Sequence, residues 1–192
     1  MSTTAEPHRT PRVPDFELTL NELRAVTGFN VDCARRVIAV FDSECPHDRR
    51  PIEALNDAAA FVDGGNRTRA LRVSAVAAHR AARDVAGPAA HAAMAAGDAA
   101  ASAYLHPLAD AAQVGHILRG PAHCVRALET QPVRPVPHEE AIATVLDCAT
   151  SQLIEVLRRY PRVSAGRTGA SMVMGELDRR LRDMLGRLKN SA

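Results

Sequence analysis

Lysine is almost absent from this chain. Of the 24 basic residues, 23 are arginine, and Lys189 stands in Leu-Lys-Asn. The Gly-Lys-Ser/Thr of a Walker-A loop is therefore missing, which excludes a P-loop ATPase. Aromatics are scarce: Phe16, Phe29, Phe41, Phe61, Tyr104 and Tyr160 are the six. Cys33, Cys45, Cys124 and Cys148 form no CxxC pair, and HExxH and HxxxH are missing too, so the sequence signals of a zinc site are lacking. There is no GxSxG, no GxGxxG opening a βαβ unit, and no acid pair with separable roles. No catalytic residue, metal or cofactor is expected, and the chain does not read as an enzyme. No run reaches 18 apolar residues, and the start, MSTTAEPHRTPRVPDFE, has no apolar h-region. With four free thiols, this points to a soluble protein of the reducing cytoplasm.

What is present is alanine. It supplies 36 of 192 residues in a chain that is 46% hydrophobic. A chain of this length buries roughly 70% of its unfolded surface and needs no metal or disulfide to complete a core. Alanine has the highest helix propensity, and small side chains let helices approach closely. No strand-like alternation appears. The expectation is an all-α, single-domain, Ala-rich bundle of eight or nine helices over residues 18–190, with a flexible, proline-containing arm over 1–17.

Local signals place the elements. Thr19 and Glu22 have capping-box spacing and predict a first helix that ends near Thr27-Gly28. Asn30 then reads as the cap of a second helix carrying Val31, Ala34, Val37, Ile38 and Phe41. Asp48-Arg49-Arg50-Pro51 starts a third, which Gly64-Gly65 ends. Asn66 reads as the cap of a long helix over 67–86, whose wide apolar arc suggests a central position with one wet edge. Gly87-Pro88 opens the next, over 88–105. Pro107 and Gly120-Pro121 mark two short helices, 107–118 and 121–130. A helix over 138–160 and a last one through Met174, Leu177, Leu181, Met184 and Leu188 complete the set.

The densest cluster of ligand-type residues is HPLADAAQVGHILRGPAHCVRALE, residues 106–129, with His106, Asp110, His116, His123 and Cys124. Its prolines and glycines separate these groups, so His106 and Asp110 read as capping or partner-facing residues and Cys124 as a buried thiol. Arg69, Arg72, Arg80 and Arg83 share one stripe that could hold phosphate or an acidic partner. A net charge of +2 does not by itself argue for nucleic acid. The C-terminal arginines alternate with Glu176, Asp178 and Asp183 and read as a salt-bridged face. Polar residues in tight Ala-rich contexts are the remaining candidates: Asp48, Arg50, His79, Arg83, Arg126 and Arg167 either form one buried cluster or stand as independent surface groups.

The runs ELRAVTGFNVDCARRVIAVFDSECPHDRRPIEALNDAAAFV, RALRVSAVAAHRAARDVAG, QVGHILRGPAHCVRALE and GRTGASMVMGELD resemble the Imm-5-like putative immunity proteins. Asp-x-Arg-Pro at 48–51, AAHxAAR at 77–83 and the turn at 115–121 carry the likeness. Two positions depart from it: Phe61 where a tryptophan is expected, and Asp98 where a histidine would follow Gly97. The resemblance implies a helical bacterial protein that neutralises a cognate protein toxin by occlusion, with Asp48, Arg50, His79, Arg83, His106, His116, Arg126 and Arg167 as candidate partner-binding residues. Members are often named as exonuclease components, a role in ATPase chemistry that the missing P-loop rules out here. The slightly basic balance is at odds with an acidic-decoy mechanism. A nucleic-acid-associated protein using the arginine stripe, or a metal-dependent enzyme, are the alternatives.

Overall fold

The structure, a computed structural model, describes residues 15–164, 166–167 and 169–190, the stretch 185–190 as backbone only. Among these residues it has nine α-helices, one short 3-10 turn and no strand. The proposed arm lies outside the described residues up to position 14. Asp15 and Phe16 are docked: the Asp15 N–H donates to the Pro107 carbonyl at 2.9 Å, its carboxylate accepts from the Ala109 N–H at 2.6 Å, and Phe16 meets Tyr160 edge-on at 5.1 Å.

Helix α1, Leu20–Arg35, opens with the expected capping box between Thr19 and Glu22. The break predicted at Gly28 does not form. A Cβ at Gly28 would make only ordinary contact with Val62, and Asn30, read as a cap, is fully buried inside the helix. The chain turns only at Arg36-Val37 before α2, Ile38–Glu44. Helix α3, Arg50–Val62, has Pro51 in its first turn, where no intrahelical bond is lost, and the Asp48 carboxylate takes the Arg50 N–H at 3.1 Å. It ends at Gly64, whose φ of +107° suits glycine.

Helix α4, Arg69–Ala81, is shorter than the 67–86 expected. Thr68, not Asn66, precedes it, without a side-chain cap. It is also peripheral: Val73 and Val76 are 58% and 49% exposed. The central helix is α5, Gly87–Ser102, which packs against α1, α2, α3, α4 and α6. Ala89, Ala92, Ala93, Ala95, Ala96, Ala99 and Ala100 are all fully buried there. A helix whose surface is mostly methyl groups can be surrounded closely on most sides.

After a 3-10 turn at Ala111–Val114, capped by Asp110 on the Ala112 N–H, α6 runs from Gly115 to Glu129 without the predicted interruption. Pro121 has no N–H to give the Ile117 carbonyl, which normally destabilises a helix interior. The side chain of Asn30 supplies the missing donor: its Nδ2 bonds the Ile117 oxygen at 3.0 Å and the Val26 oxygen at 3.1 Å. Gly120 makes room for this contact. A Cβ at position 120 would come within 2.5 Å of Asn30 Oδ1 and 3.1 Å of Asp98 Cβ. The Gly-Pro pair is thus a compensated site inside one helix.

The helix expected over 138–160 is two, α7, His138–Leu146, and α8, Ser151–Arg158. Thr150 caps the second through its hydroxyl on the Leu153 N–H at 3.2 Å. Helix α9, Gly169–Asn190, places Leu177 and Leu181 in the core with Met174 and Met184 beside it, as the 3-4 spacing predicts. Leu188 lies outside the described side chains.

Candidate functional site

The most concentrated polar group forms where α4, α5 and α6 meet. Asp98 is 2% exposed in the alanine-lined centre of α5. Its Oδ1 accepts from Arg119 Nε at 2.9 Å and Nη2 at 2.7 Å, and stands 3.1 Å from His79 Nε2. Burial opposes the charge on Asp98, but the bonds from His79 and Arg119 prevail and hold its carboxyl below the usual carboxylate range. The same pairing raises Arg119 further. Gly97 lets the ring of His79 lie against α5, since a Cβ there would come within 2.5 Å of the imidazole.

These groups border a surface hollow of about 280 Å³ lined by His79, Ala82, Arg83, Met94 and Arg119. Asp98 binds one edge of the Arg119 guanidinium, while the side chain is 43% exposed. Arg83 is exposed and makes no ion pair among the described residues. The hollow therefore offers two arginines, an imidazole and a thioether, with a buried carboxylate fixing the orientation of two of them. Such a set suits an anionic side chain, because charge-assisted bonds to a preset guanidinium lose little entropy.

A line of histidines continues from this point. His91 Nδ1 and His123 Nδ1 are 2.9 Å apart, so one ring donates to the other's lone pair. Burial lowers both, His123 to about 4. His116, also lowered chiefly by burial, feels Arg119 and His106 and has a buried Nδ1 with no hydrogen-bond partner among the described residues. His79 thus contacts the Asp98–Arg119 pair directly, and His116 and His123 feel its charges. His106 is more peripheral, exposed, with its backbone N–H on Gln113 and its carbonyl accepting from Tyr160.

The other candidates lie apart, so there is no single cluster. Asp48 and Arg50 bond each other, and Arg50 also reaches Asp84 at 2.7 Å, which ties α3 to the end of α4. Arg126 pairs with Glu129 at 2.5 Å on the far part of α6. Arg167 is exposed in the connection before α9. Near Arg126, His138 stands between Glu129 at 2.5 Å and Glu176 at 2.9 Å, and these two carboxylates raise its pKa. Ligand atoms of His138, Glu139 and Glu176 lie within 4.8 Å of one another. Arg180 already bonds Glu139 at 2.7 Å and Glu176 at 2.6 Å, so the group is a neutralised ion-pair network.

Asp98 and Arg119 were missed by reasoning from spacing. The available signal was Asp98 itself, a charge in AAMAAGDAAAS, which must find partners if that run is buried.

A family model described as Imm-5 like putative immunity protein matches residues 17–112, half of the chain. No match was found among curated proteins or among solved structures. The matched segment contains α1 to α5, and with them His79 and Asp98; Arg119 is added from α6.

Proposed function

We propose that this chain, which belongs to the Imm-5 like putative immunity protein family, binds a cognate protein toxin and neutralises it by stoichiometric occlusion. The observation that supports this reading best is the preset hollow: a carboxylate almost wholly buried in α5 holds His79 and Arg119 beside the unpaired Arg83. A pocket of about 280 Å³ accepts one side chain of a partner. An aspartate or glutamate presented there meets two guanidinium groups, with Met94 covering its methylenes.

One anchored side chain does not make a complex. A standard interface buries about 800 Å² on each partner, with a few arginine and aromatic anchors dominating its energy. The reading needs no bond-making step by this chain; the toxin is silenced because its working surface is covered. The test is co-expression with the toxin encoded beside the gene, then titration of the purified pair. Protection with a 1:1 endpoint is expected, and Arg83→Ala combined with Arg119→Ala should weaken binding at least tenfold. Failure of the unaltered protein to protect would refute the reading.

A further inference from the structure

The outward face of α4 is a charged patch that the bundle itself does not use. Arg69, Arg72, Val73, Val76, Ala77 and Arg80 line a shallow groove of about 480 Å³. Helix α4 contains no acidic residue, and among the described residues no carboxylate pairs with Arg69, Arg72, Arg80 or Arg83. Arg72 is instead held 4.2 Å over the ring of Tyr104, whose hydroxyl donates to the Thr68 carbonyl at 2.6 Å. One cation of the patch is therefore already oriented before any partner arrives. Between the arginines stand two valines exposed at 58% and 49%.

From this arrangement we infer that the α4 face is the docking surface for an acidic amphipathic helix of a protein partner. The inference rests on the toxin-binding reading and names the segment of the partner. Arg69 and Arg80 are eleven residues apart, about 16 Å along a helix axis. A partner helix with carboxylates three turns apart and two aliphatic residues between them would match charge to charge and apolar to apolar. The valines decide against nucleic acid, since a phosphate backbone gains nothing from two exposed isopropyl groups, whereas an apolar centre with a charged rim is the composition of a protein interface. A second copy of this chain would set arginine against arginine on the same face. Arg80, at the end of the groove, and Arg83, in the hollow, sit on one turn, where the Arg83 N–H donates to the Arg80 carbonyl at 2.9 Å.

The probe is a synthetic helical peptide with glutamates eleven positions apart bracketing two leucines, its binding read by fluorescence anisotropy and by backbone amide NMR. Binding should weaken steeply with salt, and shifts should concentrate on residues 69–83. Arg69→Glu combined with Arg80→Glu should lower affinity at least tenfold, and Val73→Ser combined with Val76→Ser about fivefold, with unchanged melting curves. Equal binding of a scrambled peptide, tighter binding of a short DNA duplex at about 50 mM salt, or self-association abolished by Val73→Asp would each overturn the inference. In the co-expression assay, protection by the wild type that persists undiminished in the Arg69→Glu/Arg80→Glu variant sinks this docking face and leaves the toxin-binding reading standing. Absence of protection by the wild type sinks the reading, and the peptide result still judges the face.

Discussion

Helices α4 and α9 are both rich in arginine and use it in opposite ways. On α9, Arg179 lies 4.0 Å from Asp183, Arg180 bonds Glu176 and Glu139, and Arg182 bonds Asp178 at 2.7 Å. The Arg182 and Asp178 side chains are 8% and 3% exposed, and Asp178 also accepts from the Val163 N–H. These arginines fasten the loop after α8 and the start of α7 to the last helix. On α4 no arginine is paired with a carboxylate among the described residues; Arg72 rests on the Tyr104 ring, and Arg69 and Arg80 are exposed and open to another molecule. Arg119 stands between the two cases, committed to Asp98 on one edge and 43% exposed. The same residue thus belongs to the scaffold where a carboxylate is packed beside it, and to the surface chemistry where none is.

The contrast can be broken by measurement. Arg182→Ala leaves Asp178 buried without its cation and should cost roughly 2–4 kcal/mol in urea unfolding, because a buried charge stripped of its partner is the expensive case. Asp98→Ala should cost less, about 1–3 kcal/mol, since the released Arg119 can reach water; its larger effect should be on toxin affinity, as the hollow loses its fixed geometry. Acidification separates the histidines. His123 holds its neutral form in the folded protein down to about pH 4 against an ordinary value of 6.5, so stability is lost as pH falls through that window. His138 has a raised pKa, so its contribution is present in acid and fades as pH rises through its folded value. Unfolding at pH 7 and pH 5 should show a loss of about 1–2 kcal/mol from His123, flattened by His123→Gln and steepened by His138→Gln. The smallest effect belongs to α4: Arg69→Ala and Arg80→Ala should each stay within about 0.5 kcal/mol of wild type. A loss above about 1 kcal/mol at either position would mean that α4 is a structural helix like α9.

How much of this could be read from the residues depends on the range of the interactions. The Thr19–Glu22 box, the proline start of α3, the seam of α9 and its i,i+4 ion pairs are local, and each was legible in a few consecutive positions. Asn30 was not: it has the composition of a cap, and the acceptor that explains it lies 87 positions away. The continuity of α6 was hidden for the same reason, because Pro121 reads as a break until the compensating amide is found. The division at 147–150 did carry a local signal in Thr150, which the long apolar period of 138–160 outweighed. Asp98 was visible as a departure from the family pattern, but its role depended on knowing that α5, and not α4, is the central helix.

Asn30 and Ile117 also have a consequence in time. A chain made from its N-terminus has α1 available long before Ile117 is synthesised. The amide that closes the gap over Pro121 is therefore waiting when α6 emerges. Until the two meet, the Ile117 carbonyl lacks the donor that Pro121 cannot supply. One amide of the first helix in this way completes the backbone bonding of the sixth.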